Sequence, residues 1–275
     1  LEHCLPGRVL EVRGLISVVQ TSDGKRYDCA VRRLLKTLQT AQRHVVAVGD
    51  EVQFRPDGEE GLIERIEPRR GILARTSRDR QHVLVANVEK MVIVTSAAEP
   101  DLKPHLIDRF LVAAEQAEID PVICVNKIDL VQPGSLQPLI GVYAQLGYEV
   151  LQVSATAGLN LSRLHNALRD RATVVVGQSG VGKSSLLNAI EPDLGLRVGA
   201  VSRETRKGRH TTTTARLIPL SMGGFIVDTP GIRQFALWDV VPQELAGLFR
   251  DIRPLVSYCR FPDCTHTHEA DCAVK

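Results

Sequence analysis

At 275 residues, 44% hydrophobic and 24% charged, the chain is long enough for two or three domains and has an ordinary globular composition. The formal net charge of +2 excludes a globally basic protein, although residues 1–80 hold 15 Lys and Arg against 12 Asp and Glu, a hint of a polyanion partner. No apolar run approaches the roughly 18–20 residues that span a bilayer, and there is no basic-then-apolar secretory start, so a cytoplasmic protein without a membrane partner is expected.

Residues 1–78 read as short strands separated by turn residues. Gly7 to Val12 alternates, Leu15 to Val19 follows a glycine, and Tyr27 to Val31, Gly49 to Phe54 and Gly61 to Ile66 complete five strands, spacing that suits a small closed β-barrel. The polar stretch from Arg32 to His44 reads as a loop. The barrel has few aromatics, Tyr27 and Phe54, so base stacking should be limited and contacts from Arg and Lys to phosphate should dominate any RNA binding.

From 79 to 241 the pattern changes. Met91 to Thr95 and Pro121 to Val125 are continuous apolar runs, which suit strands covered on both faces of a parallel sheet. Leu106 to Ala117 and Leu159 to Leu168 have helical spacing, Glu149 to Val153 and Thr173 to Val176 read as further strands, and the alternation predicts an α/β layer domain.

Chemistry-bearing motifs follow those strands. Asn126-Lys127-Ile128-Asp129 supplies a carboxylate that accepts two N–H donors from guanine, a pairing adenine cannot make. Asn126 would tie loops together, and the Lys127 stem would cover the base. Ser154-Ala155 after the next strand would add a backbone N–H for the guanine carbonyl. Gly177-Gln178-Ser179-Gly180-Val181-Gly182-Lys183-Ser184-Ser185, between a strand and a helix, has the spacing of a phosphate loop. Its backbone N–H groups and the helix N-terminus favour phosphate, Lys183 would reach the β- and γ-phosphates, and the Ser184 hydroxyl would bind Mg²⁺.

Arg203 to Thr214 has no core pattern and reads as a switch segment, with Thr212, or Thr211 beside it, as the magnesium ligand. In Asp228-Thr229-Pro230-Gly231, Asp228 would hold Mg²⁺ and the Gly231 N–H would meet the γ-phosphate. The next position, where many GTPases carry a water-orienting Gln, is Ile232, so slow intrinsic turnover is expected. His210 is the internal candidate for the missing polar catalytic group, acting with Lys183 and Thr212.

Residues 242–275 are too few for a core of their own. Cys259, Cys264, His266 and Cys272 offer three thiolates and an imidazole, the donor set of a closed structural zinc site, with His268 as the alternative ligand.

The base-reading motif precedes the phosphate loop here, the reverse of the usual order. That rotation, with a barrel before it and a Cys/His cluster after it, resembles the circularly permuted GTPases of the ribosome small-subunit-dependent RsgA (YjeQ) family over nearly the whole chain. The resemblance implies an N-terminal OB-fold barrel (1–78), a circularly permuted P-loop GTPase domain (79–241) and a zinc-binding C-terminal module (242–275). It further implies GTP/GDP, Mg²⁺ and one structural Zn²⁺ as cofactors, and GTP hydrolysis stimulated by the small ribosomal subunit during its late maturation. The partners would be that subunit and its rRNA, not DNA, and the protein would be a monomer. The family continues into C-terminal helices, which implies that this chain is truncated. The alternative reading is a nucleotide-gated RNA-binding module in which hydrolysis is incidental.

Overall fold

The computed structural model describes residues 3–32, 35, 45–77, 80–196, 215–228 and 244–275. Five strands form the first unit: β1 (Leu5–Arg13), β2 (Ile16–Gln20), β3 (Arg26–Val31), β4 (Glu51–Asp57) and β5 (Glu60–Ile66). They hydrogen-bond in the order β1–β2–β3–β5–β4, antiparallel except for β3–β5, and β4 closes back on β1. This is the expected five-stranded barrel of the oligonucleotide-binding type.

Alternation builds the barrel's core. Along β3, Tyr27 and Cys29 point inward while Arg26, Asp28 and Ala30 face water. With Val9, Val19, Val52, Phe54 and Ile63 they fill the interior. Tyr27 and Phe54 pack against each other with ring centroids 5.0 Å apart, and both are buried. Neither ring is open to a base, which carries the expectation of limited stacking further. Most of the stretch from Arg32 to His44, namely 33–34 and 36–44, lies outside the described residues.

A hairpin absent from the sequence reading, β6 (Leu73–Ser77) with β7 (Arg80–Val85), leads into the second unit. Its ends, Leu73 and Val85, are buried in the core beyond it.

The second unit contains β8 (Lys90–Ser96), α1 (Pro104–Gln116), β9 (Asp120–Asn126), α2 (Gln137–Gln145), β10 (Glu149–Gln152), α3 (Leu161–Leu168), β11 (Ala172–Val176), α4 (Lys183–Ile190), β12 (Arg216–Pro219) and β13 (Phe225–Asp228). The order β10–β9–β8–β11–β13 is parallel throughout, and β12 joins β13 antiparallel. The apolar runs split by residue parity. Met91, Ile93, Ile123 and Val125 pack under Ile107 and Leu111 of α1 and Tyr143 of α2. Val92, Val94, Val122 and Cys124 pack on the other face under Leu164 and Leu168 of α3 and Leu186 and Leu187 of α4. A strand sandwiched between two helical layers has no polar face, which is why these runs are continuous. Burial pushes the thiols of Cys29 and Cys124 up to about 12, so both serve as small packing groups.

The barrel is not a separate bead. β1 pairs antiparallel with β12, Glu11 opposite Arg216, so barrel and α/β sheet form one eleven-stranded sheet. Beyond 244 the chain has little regular structure: a 3₁₀ turn at Leu245–Leu248 and a short α-helix, α5 (Arg253–Val256). Among residues 244–275 Cys264 is the single buried residue. Among the described residues no helix is long and apolar enough to cross a membrane.

Candidate nucleotide site and metal centre

The base-reading motif, the Ser154-Ala155 turn, the glycine loop and Asp228 lie at or just past the carboxyl ends of four parallel strands: β9, β10, β11 and β13. Chain order runs β8 to β10 in one direction across the sheet and β11 to β13 in the other. The strand order therefore reverses between β8 and β11, where open α/β sheets form their ligand crevice.

Two glycines let the loop sit close to its neighbours. Gly177 has φ 138°, and a Cβ there would come 2.1 Å from the Val94 carbonyl oxygen. Gly182, the residue before α4, has φ 96°, and a Cβ there would come 2.3 Å from Asn126 Nδ2. Both positions combine a left-handed backbone with no room for a side chain, so only glycine fits.

Asn126 is buried and joins three loops. Its Nδ2 donates to the Val181 carbonyl at 2.9 Å, and its Oδ1 accepts from the Ala155 N–H at 3.2 Å. The tie expected from the sequence is therefore present. The Ala155 N–H, expected to face a guanine carbonyl, is used inside the protein here. A base would have to share that bond or take it over. The Ser154 hydroxyl accepts from the Ala157 N–H at 3.0 Å and holds the turn.

Lys127 has a left-handed backbone, φ 62°, and its ammonium donates to the Glu99 carbonyl. Ile128 is half-buried against the core, while Asp129 is exposed in the short helical turn that follows β9. Lys183 Nζ donates to the carbonyls of Gly177 and Gln178, each at 2.8 Å, so the ammonium is curled into the loop it serves. Gln178 is half-buried, Ser179 and Gly180 are exposed, Val181 is buried, and Ser184 and Ser185 are half-buried at the start of α4.

Two features here were not legible from the sequence. Asp228, at the end of β13, is ion-paired to Arg216 of β12, with Nε to Oδ2 at 2.9 Å. Glu115, at the end of α1, receives Arg250 Nε and Arg253 Nη2 at 2.7 Å each. Arg250 also lies 3.9 Å over the Tyr148 ring, which pins the C-terminal module to the α/β unit. Both pairs join residues that only the strand register or the docking brings together. His210, Thr211, Thr212, Gly231 and Ile232 lie outside the described residues.

Ser184, in the first turn of α4, and Asp228, at the end of β13, are hard oxygen donors and suit Mg²⁺. The Phe225–Ala172 to Val227–Val174 register places Asp228 one step from the end of β11. At the other end of the molecule, the ligand atoms of Cys259, Cys264, His266 and Cys272 lie within 4.8 Å of one another. His266 Nδ1 is 3.5 Å from Cys259 Sγ and 3.4 Å from Cys272 Sγ. A tetrahedral ion with metal–sulfur bonds of about 2.3 Å and metal–nitrogen bonds of about 2.0–2.1 Å spaces such donors roughly 3.5 Å apart. The donor set therefore fits Zn²⁺. Burial raises the Cys272 thiol, but hydrogen bonds from His266 and from the Lys275 and Val274 N–H groups bring it down to about 6. His268 is exposed beside Thr267 and lies outside the cluster.

The RsgA GTPase family model matches residues 66–238. The small ribosomal subunit biogenesis GTPase RsgA of Sodalis glossinidius is 40% identical over 98% of this chain and 79% of its own length. That of Gemmatimonas aurantiaca is 41% identical over 98% of this chain and 89% of its own length. The chain belongs to the RsgA GTPase family. The structures agree. YjeQ from Thermotoga maritima superposes with a TM-score of 0.79 at 32% identity, covering 98% of this chain and 90% of that one. YloQ, a circularly permuted GTPase, gives 0.72 at 31% identity, covering 99% and 87%. Membership of this family makes the chain a GTP hydrolase, with a guanine nucleotide as its ligand.

Proposed function

We propose that this GTPase binds the small ribosomal subunit and hydrolyses GTP during late maturation of that subunit, with hydrolysis stimulated by the subunit itself. The observation that carries this reading is the convergence of four motifs on one sheet edge, in a chain whose relatives are named for that role. The domain limits taken with it are 1–78, 79–241 and 242–275.

In this reading Asp129 accepts the two guanine N–H groups, while Asn126 holds the base loop against the phosphate loop through the bonds to Val181 and Ala155. Lys183 turns from the Gly177 and Gln178 carbonyls to the phosphates, and the N–H groups from Gly177 to Ser185 surround them. Ser184, Asp228 and Thr212 would hold Mg²⁺, which would supply neutralising charge to the phosphates. Cys259, Cys264, His266 and Cys272 would hold Zn²⁺ as a four-ligand structural ion, whose bonds would supply folding energy to the module. The protein works as a monomer in the cytoplasm and contacts rRNA through phosphate rather than stacked bases, since Tyr27 and Phe54 are buried.

Ile232 stands where a polar group would orient the attacking water, so turnover without the subunit is slow, and His210 is the internal group proposed to assist. The test is GTP turnover with and without purified small subunits. Stimulation of about tenfold or more supports the reading. Unchanged turnover with tight, GTP-dependent subunit binding would replace it with a nucleotide-gated binding module. Full stimulated turnover in His210→Ala would remove that residue from the mechanism.

A further inference from the structure

The barrel is joined to the α/β sheet at a particular place. β1 pairs with β12, and β12 pairs with β13. In sequence β12 follows directly on the threonine-rich stretch, and β13 ends in Asp228 at the start of the Asp-Thr-Pro-Gly motif. The barrel is therefore hydrogen-bonded to the hairpin that separates the two stretches expected to sense the γ-phosphate. Arg8 of β1 reinforces the seat, 5.2 Å over the Phe225 ring of β13 and donating to the Asn87 carbonyl at 2.8 Å.

Arg216 lies at the crossing point. Its Cα is in register with Glu11 of the barrel on one side and with Asp228 on the other. Its guanidinium binds Asp228. Glu11 in turn accepts from Arg13 at 2.7 Å, so charges alternate from Arg13 through Glu11 and Arg216 to Asp228. The Arg13 hydrogen bond, outweighing burial, holds the Glu11 carboxylate below its ordinary value, and the Arg216 charge acts in the same direction.

We propose that Arg216 is a positioning residue that competes with magnesium for Asp228, and that Glu11 of the seated barrel weakens this competition by drawing on the same guanidinium. The inference rests on the reading of Asp228 as a magnesium ligand. A guanidinium on Asp228 uses the lone pairs and the charge that Mg²⁺ requires, so only one cation is fully served at a time. Barrel seating then sets how readily the nucleotide site takes its metal. Because Arg216 and Asp228 are both half-exposed, water screens the pair and the effect is modest.

The experiment is the Mg²⁺ concentration that half-suppresses release of a fluorescent GDP analogue, a binding readout independent of turnover. In Arg216→Gln the midpoint falls about two- to fivefold. In Arg216→Lys, which keeps the charge but loses the Nε contact, it falls less. In Glu11→Gln it rises, because the charge in register with Arg216 on the barrel side is gone. In the double variant, Glu11→Gln has no further effect. Near-native circular dichroism of each variant confirms that the comparison is between folded proteins. An unmoved midpoint in Arg216→Gln and Arg216→Lys overturns the proposal. So does a Glu11→Gln shift of equal size in the Arg216→Gln background, which would be a direct field effect of Glu11 on the metal. Wild-type release that ignores Mg²⁺ altogether would instead remove the magnesium reading beneath it.

Discussion

The α/β unit and the C-terminal module solve the same problem in opposite ways. The α/β unit buries two apolar layers, one on each face of a parallel sheet. The module, over the described residues 244–275, buries only Cys264. The polar bonds within it are short-range, such as Glu269 accepting from Thr265 at 2.7 Å and from Thr267 at 3.0 Å. Hydrophobic burial is proportional to area, and a segment this short cannot gather enough of it. A metal ion held by Cys259, Cys264, His266 and Cys272 would replace area. The two regions meet at Glu115, clasped by Arg250 and Arg253, and at the Tyr148 ring and Gly147 carbonyl, which Arg250 also contacts.

The sharpest way to break this contrast is to remove the metal. Chelation, or Cys264→Ser, should unfold 253–272 at a cost on the order of 10 kcal/mol, the scale of structural zinc sites, and leave GDP binding intact. Hydrogen exchange measures both, and retained protection in 253–272 after chelation would show that the module has a core of its own. Truncating the α/β layer comes next. Ile93→Ala should cost about 2–5 kcal/mol in urea unfolding, because Ile93 is fully buried between β-strands and α1. A loss under about 1 kcal/mol would mean the layer repacks freely.

The junction should be weaker than either interior. Glu115→Gln removes the charge that both arginines share and should cost about 1–2 kcal/mol, read as faster exchange in α5 with the sheet unaffected. The same junction should respond to acid. Burial raises the Glu115 carboxylate, but the hydrogen bonds from Arg253 and Arg250 outweigh it and the net shift is downward. A lowered carboxylate contributes stability that is complete above its unfolded value and is lost as pH falls through the folded value. The module should therefore loosen only below about pH 4 and remain seated at neutral pH. Smallest of all is Phe261→Ala, an exposed aromatic in the module, which should change stability by no more than about 0.5 kcal/mol.

Much of this architecture could be read before any coordinates. The continuous runs at 91–95 and 121–125 became central strands because only two-sided burial tolerates such runs. The alternation at 26–31 became a barrel strand with Tyr27 and Cys29 inside. Two short elements and the hairpin were not legible. Pro219 and Arg216 disguise β12, whose four residues take their strand state from pairing with β13 and β1. Gln137–Gln145 carries a Pro and a Gly, and only Tyr143 is buried, so its apolar spacing is faint. Leu73–Ser77 and Arg80–Val85 have little apolar alternation, and their pairing supplies the strand state.

The order of the motifs, the glycine positions and the Cys3His donor set are properties of the sequence by itself, because each is a local chemical requirement met within a few residues. Phosphate needs bare backbone, guanine needs a carboxylate, and zinc needs soft donors. What only the tertiary structure decided is which charges answer one another across the molecule. Asp228 meets Arg216, Arg216 lies in register with Glu11, and Glu115 meets Arg250 and Arg253. Glu11 and Arg216, and Glu115 and its two arginines, belong to different units, while Arg216 and Asp228 face each other across one hairpin. Their meeting depends on strand register and docking, which the buried apolar layers set and no local spacing records.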